Sequence, residues 1–343
     1  MTADILFVCG SLNQTTMMHQ ISRHLEQFNC YFTPFYADGV VELAARAGLA
    51  DFSILGGRHR QATEQYLRME NLAVDYGGKQ HDYDLVITCT DLIVQRNIRG
   101  RRLVLVQEGM TEAEGFLYFL VRYLKFPRFL ANTAATGLSD SYDVFCVASK
   151  GYRDLFVQKG VKPDKIVVTG IPNYDHLARY SENNFPHHNY VLVATSSIRE
   201  TLKFDDRDKF LRQVKRIANG RKIIFKLHPN EDPHRAIREI RRYFTDELIY
   251  TTGDVHQMIA NCEVLIAQTS SVIFTGLALG KEVHSYLRED ILKRLLPVQN
   301  GGGSSERIAE VCRQLINTPL TQVKWSYSKS RMLQRKWEAS NVA

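Results

Sequence analysis

Two residues of this 343-residue chain are of the types and in the places where chemistry happens: Glu108 and His228. Glu108 ends the run "VLVQEG" (104–109), an apolar stretch that stops on a carboxylate and a glycine. A carboxylate at the dry end of a buried strand can have a raised pKa and serve as a general base. The competing account is an acid that opens the following helix, since Glu112 and Glu114 also enrich that region. Glu108 precedes that turn, which favours chemistry. His228 sits at the centre of "FKLHPNEDP" (225–233). Lys226 and His228 alternate about Leu227 and so share one side of a strand. Pro229 keeps His228 out of the helical region, and Asn230 adds an amide. Such a set can meet a phosphate; a histidine that fills space at a strand end is the alternative.

Three turns add hydroxyls and amides. "VCGSLNQTTMMHQISRHL" (8–25) runs from a strand through Gly10, Ser11 and Asn13 into an amphipathic helix. Glycine permits close approach of backbone to ligand, and Ser or Asn can cap the helix, so either a ligand or capping explains the turn. "EVLIAQTSSVIFTGLALGKEV" (263–283) places Gln268, Thr269, Ser270 and Ser271 before an apolar helix. Backbone amides of a first helical turn with adjacent hydroxyls suit an anion. Capping needs one hydroxyl, and here there are three in a row. "YVLVATSSIRETLKF" (190–204) repeats the device with Thr195, Ser196 and Ser197 ahead of a helix predicted to carry Arg199.

These turns need strands to position them. Strand candidates lie at 4–9, 30–36, 84–88, 103–107, 143–149 and 165–170, then at 190–195, 222–227, 248–252, 263–268 and 282–286. Continuous apolar strands separated by helical patterns indicate α/β structure with parallel sheets covered on both faces. The expected organisation is a Rossmann-like acceptor domain over 1–172, a polar linker over 173–189 and a Rossmann-like donor domain over 190–320. Two such domains facing across a cleft make the GT-B architecture, and ligands bind beyond the carboxyl ends of the strands. Hydrophobic content of 44% and charged content of 24% fit a globular chain, not a disordered one. Six cysteines without a CxxC pair read as buried thiols in a reducing compartment rather than disulfides or zinc ligands.

On these motifs the second half resembles the nucleotide-binding domain of GT-B glycosyltransferases. "VTGIPNYDHL" (168–177), "VLVATSS" (191–197), "KLHPNED" (226–232) and "AQTSSVIFTGLALGKEV" (267–283) match in order. With "YDLVITCTD" (83–91) and "VQEGM" (106–110), the resemblance spans most of the chain. CDP-glycerol glycerophosphotransferases have a similar "HP" strand end and "SSVIF" helix start. Bacterial sialyl- and Kdo-type transferases, which use CMP-activated sugars, are marked by an acid-acid-Gly element, an HP pair and a Ser/Thr cluster. "QEG" (107–109), His228–Pro229 and Thr269–Ser271 are similar to those, with Gln107 in place of one acid. More distantly, Asp91, Glu108 and His228 fall where UDP-N-acetylglucosamine 2-epimerases keep two acids and a histidine. That family's second catalytic glutamate has no counterpart in "FLANTA" (129–134), and its ribose-binding glutamates correspond to a stretch that here holds Phe274, Thr275 and Gly276.

The resemblance implies inverting transfer of a glycosyl or glycerophosphoryl-like group from a nucleotide-activated donor to a hydroxyl. It implies Glu108 as base, with His228 on the departing phosphate. Lys226, Asn230, Gln268, Thr269, Ser270, Ser271, Thr195, Ser196 and Ser197 would hold the donor, and Gly10, Asn13 and Asp91 the acceptor side. The absent ribose acids favour a CMP- or CDP-type donor over UDP. No DxD-type pair stands out, so neither metal nor cofactor is expected. Epimerisation, a non-catalytic nucleotide-binding module and nucleic-acid binding remain alternatives.

For the acceptor, "FLYFLVRYLKFPRFL" (116–130) mixes aromatics with Arg122, Lys125 and Arg128. It suits an interfacial helix on anionic lipid, or a helix packed on its own sheet. The basic, aromatic tail (321–343) either returns to the first domain or extends such a face. The start "MTADILFVCGS" lacks a signal-peptide layout, and no apolar run reaches the ~18 residues of a membrane span. These point to the cytoplasm, with peripheral membrane contact and a lipid-linked or surface-polysaccharide acceptor. The net charge of +7 and "PHRAIREIRRYF" (233–244) raise nucleic acid as a partner. That run has helical spacing of a solvated face, and no zinc-finger, homeodomain or RNP pattern accompanies it.

Overall fold

All eleven apolar runs become short strands, and all pair in parallel. The computed structural model describes residues 2–48, 56–201, 204–268, 270–299, 301 and 303–318. They fall into two units, one formed by the chain up to Asp175 with the stretch from Pro297, the other by His176–Leu296.

The first unit runs β1 (Asp4–Val8), α1 (Leu12–Ser22), β2 (Asn29–Thr33), α2 (Gly39–Arg46), α3 (Gly57–Met69), β3 (Leu85–Thr88) and β4 (Arg102–Val106). It continues through α4 (Phe116–Leu124), β5 (Val144–Val147), α5 (Lys150–Gln158) and β6 (Ile166–Val168). Its sheet has the order β2-β1-β3-β4-β5-β6, with Ile5 opposite Cys30 on one side and Leu85 on the other. Every residue of β3 and β5 is buried, as expected where helices cover both faces.

The second unit runs β7 (Val191–Ala194), α6 (Arg207–Ala218), β8 (Ile223–Lys226), α7 (Pro233–Arg241), β9 (Leu248–Tyr250) and α8 (Val255–Asn261). It ends with β10 (Val264–Ala267), α9 (Val272–Ala278), β11 (Glu282–His284) and α10 (Glu289–Leu295). The order is β11-β10-β7-β8-β9, and Ala194 lies opposite both Lys226 and Ala267. Phe210, Phe225, Ile240 and Phe244 fill one face of its core. In each sheet the strand order reverses once, between β1 and β3 and between β7 and β10. Those are the switch points where open α/β sheets place ligands.

The chain crosses between units elsewhere than the sequence predicts. The expected linker over 173–189 is mostly structured, with 3₁₀ turns at Pro172–Tyr174 and Leu177–Ser181. From His176 onward it belongs to the second unit. There Asn183 and Asn261 exchange side-chain amide bonds of 2.9 and 3.1 Å. The boundary expected at 320 falls instead at Pro297, because α11 (Ser304–Asn317) packs against α1 and β4 of the first unit. Both ends of α11 are held. Asp175 accepts from Ser304 N at 2.9 Å and Ser304 Oγ at 2.7 Å, at the end where a carboxylate suits the helix dipole. Arg102 donates to the carbonyls of Leu315 and Ile316 at the other end. The tail beyond 318 and Thr269 lie outside the described residues.

The cysteines are free; five are buried and Cys30 is half-buried. Burial pushes the Cys9 thiol up to about 12, far from nucleophilic use.

Replacing Asp175 with Ala leaves the Ser304 amide and hydroxyl without this acceptor. A loss of about 1–3 kcal/mol in unfolding free energy is expected, read from denaturant or thermal melts.

Candidate functional site

In the second unit the groups around the switch point are set by one buried hydroxyl. Thr195 follows β7, and its Oγ1 donates to Glu231 Oε2 at 2.5 Å while accepting from His228 N at 3.0 Å. Glu231 is buried and ion-paired with Arg207, which also lies 3.4 Å from Asp205. Burial pushes the Glu231 carboxyl up, and the Arg207 charge opposes that. Next to this pair, Arg199 forks onto Glu239 with two bonds of 2.7 Å. The backbone of His228 therefore rests on a hydroxyl that itself rests on a buried ion-pair network.

His228–Glu231 is a turn closed by Glu231 N on His228 O at 3.0 Å, and Pro229 occupies the position a proline favours. Within it Asn230 N donates to His228 Nδ1 at 3.1 Å. An Nδ1 that accepts is unprotonated, so the neutral ring carries its proton on Nε2. Burial, then the charge of Lys226, lowers the His228 pKa and keeps the ring neutral. The outcome is an N–H donor at the carboxyl end of β8, with Asn230 exposed beside it.

Several residues expected to hold a donor are instead committed to the scaffold. Lys226 is buried, and its Nζ donates to Leu227 O at 2.9 Å and Thr251 O at 3.5 Å. Burial lowers its pKa. Gln268 is fully buried: Oε1 accepts from Ser196 Oγ at 2.5 Å, and Nε2 donates to Asp205 at 2.6 Å and to the Tyr286 hydroxyl at 2.9 Å. Ser196 and Gln268 thus tie the β7 turn to the β10 turn. Thr195 is the support described above. Ser197 and Ser270 are half-buried and Ser271 is exposed. The helix after Ser271 has only seven residues, so its dipole is short. Directly after Ser197 the expected helix is replaced by a 3₁₀ turn carrying Arg199, which is bound to Glu239, and α6 begins at Arg207.

In the first unit Glu108 follows β4. Asn13 Nδ2 donates to Oε1 at 3.0 Å, Gln14 Nε2 to Oε2 at 2.6 Å and Ser11 Oγ to Oε1 at 3.4 Å. Ser11 also caps α1 by accepting from Gln14 N at 3.3 Å, so capping and the carboxylate contact coexist. Glu108 is no helix-start acid, since α4 begins at Phe116 behind Gly115. The Tyr36 and Cys89 pKa values are raised by burial first and by the Glu108 charge next, which sets this carboxylate close to both. Gly10 is buried, with its carbonyl accepting from Thr63 Oγ1 at 2.9 Å.

Asp91 departs from the acceptor-side role expected of it. It is fully buried, and its carboxylate accepts from Gly137 N and Ser139 N, each at 3.0 Å. It holds a loop inside the unit. Burial raises its pKa despite those amides. The pairing of Arg207 with Glu231 gave no sequence signal, since the two lie 24 positions apart. Among the described residues no group of three His, Cys, Asp or Glu side chains is arranged to hold a metal ion.

No protein-family model matches the chain, and no curated protein matches it in sequence. Solved structures match it in fold. A UDP-GlcNAc 2-epimerase from Neisseria meningitidis bound to UDP-GlcNAc is 11% identical, with a TM-score of 0.58 over 91% of this chain and 100% of that one. HepE of Anabaena, in complex with UDP and glucose, is 13% identical with a TM-score of 0.52 over 96% and 94%. A variant of the wall teichoic acid polymerase TagF with CDPG is 12% identical with a TM-score of 0.50 over 92% and 89%. At such identities the likeness is one of fold: two parallel α/β domains of GT-B type.

Two expectations follow from the His228 turn. Replacing Thr195 with Val leaves the His228 amide and a Glu231 oxygen without that hydroxyl, and should lower stability by about 1–3 kcal/mol in chemical denaturation. The lowered His228 pKa means that the unfolded chain, with the ordinary value of 6.5, binds its proton more tightly than the folded one. The stability tied to a neutral His228 is therefore full above that value and lost as pH falls below it toward the folded pKa. Melting curves of the wild type and of His228→Gln should converge or cross in that acidic window, with the variant showing the flatter pH dependence.

Proposed function

We propose that this chain is an inverting, metal-independent transferase. It moves a glycosyl or glycerophosphoryl-like group from a nucleotide-activated donor to a hydroxyl of a cell-envelope glycan or glycolipid, at or near a membrane face. The observation that carries the reading is the His228 turn. It offers a neutral N–H donor at the carboxyl end of β8, beside the switch point of a Rossmann-like sheet. Ser197, Asn230, Ser270 and Ser271 supply further polar groups at the same end of that sheet. HepE is in complex with UDP and the TagF variant with CDPG, which supports a nucleotide-activated donor.

In the proposed reaction the acceptor O–H proton passes to the Glu108 carboxylate as the new bond forms. The bond from the transferred group to the donor phosphate breaks, and the nucleotide leaves with its electron pair. Negative charge then grows on the departing phosphate, where the His228 Nε2–H donates. A donor aimed at developing charge in a dry site contributes about 3–4 kcal/mol, and a positioned base ~10²–10⁴-fold in rate. Asn13, Gln14 and Ser11 fix the rotamer of Glu108, so the base is oriented before substrate arrives.

Epimerisation of a UDP-linked N-acetylhexosamine is the second reading, supported by the fold of the Neisseria protein. Asp91 weighs against it, because a buried carboxylate bound to two amides is poorly placed to exchange a substrate proton.

Titration calorimetry with CMP, CDP and UDP tests the donor reading, with CMP or CDP expected to bind more tightly than UDP. No heat with any of the three removes it. For Glu108→Gln the expected result is nucleotide affinity within about twofold of wild type and turnover reduced by ~10²–10⁴-fold. Undiminished turnover would exclude Glu108 as the base.

A further inference from the structure

The outward side of α4 is more apolar than its inward side. Tyr118 and Val121 turn in, joining Ala131, Ala134 and Ala135 in a small core. Phe116, Tyr123 and Leu124 turn out with 76, 69 and 62% of their surface exposed, and Leu117 and Phe119 accompany them. The chain then adds Phe126, Phe129 and Leu130, all exposed. Among the described residues, 8 of the 16 exposed large apolar side chains lie within 116–130. Single exposed apolar residues are ordinary, but a contiguous cluster marks an interaction surface.

The charges on this surface identify the occupant. Between 115 and 139 there are three cations, Arg122, Lys125 and Arg128, and no acid, while Glu114, just before, is the nearest acid in sequence and its charge reaches Arg122. Arg122 is exposed, donates to the Tyr118 hydroxyl at 2.9 Å and lies 5.7 Å from the Tyr123 ring centre. Lys125 is exposed at the left-handed end of the helix, and Arg128 leans on Asp91 O at 3.0 Å. A second copy docked here about a two-fold axis would bring the same cations against one another. No helix among the described residues is long and apolar enough to cross a membrane. α4, nine residues and about 13 Å long, is too short to cross the hydrocarbon core of a bilayer.

We propose that α4 with residues 125–130 is a docking surface for an anionic phospholipid bilayer. Phe116, Leu117, Phe119 and Leu124 enter the acyl boundary, while Arg122 and Lys125 extend to the lipid phosphates. Tyr123 spans the two layers, ring inward and hydroxyl among the headgroups. This rests on the membrane-face part of the proposed function and deepens it, without depending on the donor chemistry.

The experiment is co-sedimentation of the full chain with vesicles of phosphatidylglycerol and phosphatidylethanolamine, and with vesicles of phosphatidylcholine alone, without nucleotide or acceptor. Binding to the anionic vesicles is expected, weakening as salt rises. The combined variant Leu117→Ser, Phe119→Ser, Tyr123→Ser should bind roughly tenfold less or weaker still. Because those side chains are exposed, its melting temperature and nucleotide affinity should match wild type. Lys125→Glu should weaken binding to anionic vesicles with the apolar side intact. Failure of the wild type to sediment with anionic vesicles overturns the proposal, as does equal binding by the triple variant. Light scattering showing a dimer that the triple variant separates would assign the surface to a second copy instead.

Discussion

A parallel sheet covered on both faces leaves a polar side chain one place to be useful, the strand end. Backbone amides and carbonyls within the sheet are already paired, and the faces are apolar. Both sheets here obey that constraint, and the residues of chemical interest follow β1, β4, β7, β8 and β10. The reversal of strand order separates two neighbouring turns enough for side chains to converge there. In the second unit Gln268 fills that separation with hydrogen bonds to Ser196, Asp205 and Tyr286. In the first, the carboxylate of Glu108 draws donors from the opening of α1.

Three carboxylates show how environment divides labour among identical groups. Asp91 is closed in, with backbone amides on its oxygens, and serves as a loop tether. Glu231 is closed in with a guanidinium, and removing either partner would strand a buried charge. Glu108 alone is only half-buried and held by neutral side chains. Neutral donors orient a carboxylate without neutralising it, which is what a base requires. Of the three, Glu108 is the one not closed in.

The strands were legible because each is a continuous apolar run bounded by turn residues, and that pattern survives without tertiary information. Glu108 and His228 were legible for a related reason: a charged or titratable residue directly after such a run must lie at a strand end. The fates of Lys226 and Gln268 were not. Lys226 has the right type and place for a phosphate, but its amine bonds to Leu227 O and reaches Thr251 O. Gln268 meets Asp205 across 63 positions of sequence. The domain boundary was misplaced for the same cause. The pairing of Asp175 with Ser304 spans 129 positions and, with the packing of α11 on α1 and β4, joins α11 to the first unit. Periodicity reports which face of an element is apolar, not which neighbour covers it.

Gln107 illustrates how a departure from a motif can be structural. It is buried at the end of β4, where its Oε1 accepts from Ala148 N at 2.9 Å and its Nε2 donates to Gly109 O at 2.8 Å. An ionised acid at this position could accept from Ala148 but could not donate to Gly109, and would set a charge against a carbonyl oxygen. The amide is therefore the side chain that satisfies both neighbours. It joins the end of β4 to the start of the turn that carries Glu108. With Gln there, residues 107–109 of the β4 turn hold one ionisable group, Glu108, instead of two. An acid pair at this place would instead release its protons in coupled steps.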